Sequence, residues 1–177
     1  MKKIIQHKKF LSKQNKKFID IILNHSIFPF YFNKKTVTGP KEDYIFSHVL
    51  INRYEDREER NFPYKNSKFA DEAIDILNNF CKKNKIKYSE IFRAAVNFTV
   101  NNNTKQCGWH KDHFFEHRQL IVYLNDADPN STTLLKVNNK IIKIKPEKYK
   151  GVCFNNVEHG LIFPKKGYRV ALIFTFK

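Results

Sequence analysis

The sequence is poor in sulfur, tryptophan and acid: 177 residues hold three Cys, one Met, one Trp and 17 Asp+Glu. Cys81, Cys107 and Cys153 are odd in number, far apart and without a C-x-x-C pair. That excludes a disulfide framework or a zinc cage and fits reduced thiols in a cytoplasmic protein. No apolar run approaches the ~18 residues of a membrane span. The start, Met1 to Lys9, is basic but lacks the apolar stretch and small-residue cleavage site of a secretory signal. Repeats and low-complexity tracts are absent as well.

Hydrophobic residues make up 41% and aromatics 15%, enough for a real core, with 17 Phe carrying much of the burial. The length suits one compact unit, residues 1–177. Against the few acids stand 33 Lys+Arg, a net charge of +16. Residues 1–17 contribute seven Lys and no acid, and residues 97–177 contribute 13 bases against six acids. Such an excess favours acidic partners such as nucleic acid. A Lys- and Asn-rich composition also serves solubility alone.

The apolar spacing predicts a helix from Phe10 to His25, ended before Pro29, and a second one capped by Ser67 with Phe69, Ala73, Leu77 and Phe80 on one face. Between them lie the aromatic run Phe28 to Phe32, a turn at Thr38-Gly39-Pro40, a strand from Tyr44 to Ile51 and a charged loop over 52–65. From Ile91 the period changes to two. Short apolar runs at 94–100, 119–124, 132–137, 141–145, 151–154, 160–163 and 168–176 alternate with Asn, Asp, Gly and Pro turns. This is the pattern of a sandwich or barrel, so helices of a supporting segment (1–90) precede a mainly β body (91–177), an α+β chain.

The chemistry concentrates in Trp109-His110-Lys111-Asp112. In an extended segment residues i and i+2 point the same way, so His110 and Asp112 face one point. His159 opens another strand 159 − 110 = 49 positions later. Two imidazoles and one carboxylate form the facial triad of non-haem Fe(II) sites, which leaves coordination positions open. An H-x-D pair alone also arises by chance among seven histidines. Arg169 adds weight: it opens the last strand 169 − 159 = 10 positions beyond His159, and a guanidinium inside a β body needs an anion.

With these residues in order, 91–177 resemble the double-stranded β-helix (jelly-roll) of Fe(II)/2-oxoglutarate-dependent oxygenases, in the prolyl-4-hydroxylase-like branch. The matching elements are His110-x-Asp112, Tyr123-Leu124-Asn125, His159 and Arg169. Phe28 to Phe32, Phe46-Ser47-His48 and Arg93 to Phe98 are similar to uncharacterised phage-type members of that branch. The resemblance implies Fe(II) on His110, Asp112 and His159, with 2-oxoglutarate and O2 as co-substrates. It implies Arg169, helped by the Tyr123 hydroxyl, as the anchor of the 2-oxoglutarate distal carboxylate.

Two positions depart from the family pattern. Ala171 stands where many relatives carry the Ser of Arg-x-Ser, which leaves Tyr123 or Thr175 to replace that hydroxyl. Ser131-Thr132-Thr133 replaces a Gly-Gly at the fourth barrel strand. His113 and His117 are not assigned as ligands, and Trp109 is expected to wall the site.

The implied activity is hydroxylation of an unactivated C–H bond, coupled to decarboxylation of 2-oxoglutarate to succinate and CO2. A peptide or protein side chain is the expected substrate. The alternatives are a nucleic-acid base, clamped by Phe114, Phe115 or Tyr54, and a non-catalytic basic module that binds nucleic acid on the same fold.

Overall fold

A computed structural model of the chain describes residues 4–34, 43–102 and 104–177. The expected turn at 38–40 and Asn103 lie outside the described residues. The elements run β1 (Ile5–His7), α1 (Lys13–Asn24), β2 (Tyr31–Asn33), β3 (Ile45–Ile51), α2 (Tyr54–Arg60), α3 (Ala70–Lys83) and β4 (Ile91–Val100). They continue with β5 (Arg118–Tyr123), β6 (Thr133–Val137), β7 (Lys140–Ile144), β8 (Gly151–Asn155), β9 (His159–Leu161) and β10 (Tyr168–Phe176). All seven strands expected after residue 91 are present, most within two residues of their expected ends.

A seven-stranded sheet has the order β1-β8-β5-β10-β4-β3-β2, and a three-stranded sheet the order β7-β6-β9. Every pairing is antiparallel. Bridges Gln106↔Ile162 and His110↔His159 lay the segment 106–110 along β9, so the smaller sheet gains a fourth, irregular member. Four strands (β8, β5, β10, β4) thus face four, which is the jelly-roll layout.

Alternation along β10 sorts its side chains. Val170, Leu172, Phe174 and Phe176 join the core under the helices, while Ala171 belongs to the cluster between the sheets. Helices α1 and α3 cover the outer face of the large sheet. Ser12 caps α1 reciprocally with Asn15, and Asn15 Nδ2 donates to Asp75 Oδ2 of α3 at 2.7 Å. Phe80 of α3 presses on β8 where Gly151 stands: a Cβ there would lie 2.7 Å from the Phe80 ring. Only glycine allows that approach.

Two expectations need correction, and one element was not expected. The charged stretch 52–65 is not all loop, because 54–60 form α2. That helix buries no residue and so shows no apolar stripe; its signal is electrostatic, with Glu55 and Asp56 in the first turn and Arg57 and Arg60 in the last. Ser67 does not cap α3 directly: its hydroxyl accepts from Phe69 N, and the helix starts at Ala70. The lysine-rich start contains β1, which pairs with β8 through three residues too few to show periodicity.

Candidate metal centre

His110, Asp112 and His159 come together although 49 positions separate the histidines (159 − 110). The backbone does this. His110 N donates to His159 O at 3.1 Å and His159 N to His110 O at 2.9 Å, a hydrogen-bonded antiparallel pair. The two imidazoles therefore leave one side of the sheet together, with ring centroids 4.3 Å apart. Asp112, two residues on, adds its carboxylate, with Oδ1 3.8 Å from His110 Nε2.

Each imidazole uses its Nδ1–H on its own loop: His110 donates to Gly108 O at 3.0 Å and His159 to Val157 O at 3.3 Å. Both Nε2 lone pairs are thereby presented to the same point. Burial pushes the His159 pKa down to about 4, with His110 and His117 acting the same way against Asp112, so this imidazole is neutral at pH 7. For Asp112, burial pushes the carboxyl up, but His159, Arg93, His110 and Arg53 outweigh it and hold the pKa near 2. At neutral pH His159 is uncharged, so the two arginines carry much of that effect.

The ligand atoms lie within 4.8 Å of one another, wider than the expected spacing of about 3 Å that bonds of about 2.0–2.2 Å impose. The ligand atoms have protein neighbours of their own. Gln119 Nε2 stands 3.3 Å from His159 Nε2, and Asp112 Oδ1 sits between Arg53 (3.7 Å) and Arg93 (3.9 Å). Two imidazole nitrogens and an ionised carboxylate suit a divalent first-row metal.

The triad opens into a cavity of about 650 Å³ whose wall also carries Arg169, Thr133, Ala171 and Ile173. Arg169 is 4% exposed, and no acid lies within ion-pair distance of it among the described residues. Its Nη2 donates to Thr133 Oγ1 at 2.9 Å, its guanidinium lies 5.3 Å over the Tyr123 ring, and its Nε has no hydrogen-bond partner among the described residues. Tyr123 is fully buried, with its hydroxyl 2.7 Å from the same Thr133 Oγ1. A buried cation with spare donors fits an anion.

Thr175 is not beside Arg169. Its hydroxyl meets His113 Nε2 at 2.7 Å, while His113 Nδ1 meets Glu55 of α2 at 2.7 Å, tying α2 to the barrel. Trp109 is half-buried and does not line the cavity, whereas Cys107 does, buried and with its thiol pushed up to about 11 by that burial. Sequence reasoning missed Thr133, Gln119, Arg53 and Arg93. For Thr133 and Gln119 the signal was alternation within strands that were already assigned, and Arg93 lay one residue before the expected strand 94–100, on the same alternation as Ala95 and Asn97. For Arg53 there was none, since α2 itself went unseen.

No family model and no curated protein matches the chain. Solved structures do. A 2OG-Fe(II) oxygenase family oxidoreductase from Burkholderia pseudomallei aligns with TM-score 0.77 at 11% identity, covering 98% of this chain and 84% of that one. A Pseudomonas putida prolyl-4-hydroxylase aligns with TM-score 0.64 at 12% identity, over 98% and 91%. A Trichoplax adhaerens prolyl hydroxylase in complex with a hypoxia inducible factor peptide fragment aligns with TM-score 0.62 at 13% identity, over 98% and 82%. The fold is the double-stranded β-helix that these structures share.

Proposed function

We propose that the chain is an Fe(II)- and 2-oxoglutarate-dependent dioxygenase that hydroxylates an unactivated C–H bond, on a peptide or protein side chain. One observation carries the reading: His110, Asp112 and His159 share a cavity with a buried arginine that has no acid partner among the described residues. When bound, Fe(II) with 2-oxoglutarate supplies O2 activation, yielding succinate, CO2 and one oxygen atom for the substrate.

The chain's own residues bind, orient and exclude water. His110 and His159 offer ring nitrogens oriented by Gly108 and Val157, and Asp112 offers the anionic oxygen. Arg169 takes the distal carboxylate of 2-oxoglutarate, with the Thr133 and Tyr123 hydroxyls beside it in the role that Ser plays in Arg-x-Ser relatives. Ile121, Ala171 and Ile173 give that end of the cavity an apolar wall, which strengthens the salt link by keeping water out. Residues 1–177 act as one unit in this reading, because Asn33, Ser47 and Arg53 from the N-terminal half line the same cavity.

The peptide reading is supported by two of the structural neighbours, a prolyl-4-hydroxylase and a prolyl hydroxylase solved with a peptide. A nucleic-acid base is the second reading, favoured by the +16 charge and by Phe114, fully exposed at the cavity. Phe115 and Tyr54, however, are engaged in packing with Phe92 and each other, which leaves one ring where a clamp needs two. No helix among the described residues is long and apolar enough to cross a membrane.

Anaerobic titration with Fe(II) and 2-oxoglutarate tests the activity: a visible charge-transfer band is expected. Its absence would favour the non-catalytic module. Succinate formation against peptide, oligonucleotide and amino-acid pools then selects the substrate class.

A further inference from the structure

The cavity holds more positive charge than its proposed co-substrates use. Its wall carries Arg53, Arg93, Lys111 and Arg169 against Asp56 and Asp112, so 4 − 2 = +2. A divalent ion adds two positive charges and the 2-oxoglutarate dianion two negative ones. The loaded centre therefore keeps the same excess, and it is open to a further anion.

Arg93 is the group with capacity to spare. It stands on the inward face of β4 with its side chain 17% exposed, and its nearest acid is Asp112 Oδ1 at 3.9 Å. No hydrogen bond engages its guanidinium among the described residues. Asp112 is a poor counterion for it, being already shared. Arg53 Nη1 donates to Asp112 O at 2.6 Å, Arg53 Nη2 lies 3.7 Å from Oδ1, and that oxygen is also the metal-facing one. A guanidinium this sheltered needs an oxyanion to offset its desolvation.

The distal carboxylate of 2-oxoglutarate, taken by Arg169, does not also serve Arg93. On the paired strands Arg169 stands opposite Thr99 and Arg93 opposite Thr175, six positions apart. At ~3.4 Å per residue their Cα atoms stand about 20 Å apart along the strand, so the two guanidinium groups enter the cavity from different ends. The two arginines mark opposite ends of the cavity, with Arg93 at the end of Asp112.

We propose that Arg93 anchors a carboxylate of the prime substrate, making that substrate an acidic amino acid or a peptide with a carboxylate close to the hydroxylated carbon. The planar fork of Arg93 matches a carboxylate in a two-bonded arrangement, and Arg53, also beside Asp112, adds positive charge. This inference rests on the oxygenase reading above, and its test separates the two.

The probes are a pool of N-acetylated tripeptides containing Asp, Glu and free C-termini, and the same pool with every carboxylate methyl-esterified. Saturation-transfer NMR on protein loaded with Zn(II) and 2-oxoglutarate reads binding, and succinate formation with Fe(II) reads turnover. The free-acid pool should bind and stimulate, and esterification should abolish both. For the best free-acid peptide, Arg93→Met should raise KM at least tenfold and Arg93→Lys less, while both retain the charge-transfer band. Equal binding of the esterified pool, no binding of either pool, an unchanged KM in Arg93→Met, or stimulation by an oligonucleotide pool instead would each overturn the carboxylate anchor. A wild-type protein without the charge-transfer band would overturn the oxygenase reading and this inference with it.

Discussion

Replacing Arg169 by Met should lower 2-oxoglutarate affinity steeply while leaving fold stability almost unchanged. The side chain is buried, has no acid partner among the described residues, and spends one hydrogen bond on Thr133. Methionine fills similar space without the charge, so the unliganded protein loses one hydrogen bond and is relieved of an uncompensated cation. Thr133 and Tyr123 remain satisfied by each other at 2.7 Å, so no polar atom is orphaned in exchange. The expected change in apoprotein stability is within about 1 kcal/mol, of either sign.

Affinity should fall steeply. A forked link to a carboxylate makes two bonds of about 1.5–3 kcal/mol each, so the loss is at least about 3 kcal/mol, roughly a hundredfold in Kd. Anaerobic titration of the charge-transfer band measures this, and thermal melting of the apoprotein gives the other half. An unchanged 2-oxoglutarate affinity would refute the anchor and direct attention to Lys165 or Lys166, both exposed in the loop before β10. A melting loss worth several kcal/mol would show instead that the guanidinium is structural.

His110→Ala and His159→Ala should each abolish the charge-transfer band and succinate formation, with circular dichroism retained because the bridge between them is main chain; normal turnover in either would remove the metal assignment. Apoprotein stability should fall as the pH drops from 6.5 towards 4, because the unfolded chain protonates His159 in that window and the folded one does not. The contribution is on the order of 3 kcal/mol. His48 and His113, also held low by burial, slope the same way. The difference between wild type and His159→Ala isolates the effect, and identical slopes would contradict it. Gly151→Ala should destabilise by about 1–3 kcal/mol through overlap with Phe80. Urea titration reads this loss, and Phe80→Leu in the same chain should recover part of it.

The β body was legible because its strands alternate and are punctuated by Asn and Gly turns, and because the inward set of β10 follows directly from Arg169, Ala171 and Ile173. His110 and Asp112 were legible as neighbours on an extended segment. That His159 stands opposite them is a matter of long-range pairing, which no local pattern encodes; only the order of residues along the chain hinted at it. Helix α2 was invisible because it buries nothing, and with it went Arg53, whose partner Asp112 lies 59 positions away. The Thr133 hydroxyl between Tyr123 and Arg169 follows from β6 facing the large sheet, a tertiary fact.

The bridge between His110 and His159 has a kinetic corollary. Each histidine's amide proton is sheltered by the other's carbonyl, so solvent reaches either one only when segment 106–110 parts from β9. The same parting separates the two imidazoles. Deuterium uptake at these amides therefore clocks the opening of the ligand pair itself, at a local free energy below that of global unfolding. A cation that requires both rings binds only the closed form, and it should slow uptake at these two positions by the factor 1 + [M]/Kd. Amides in β5 and β10 that open only with the whole fold gain no more than that factor, so metal dependence without any change at His110 and His159 would locate the ion somewhere else.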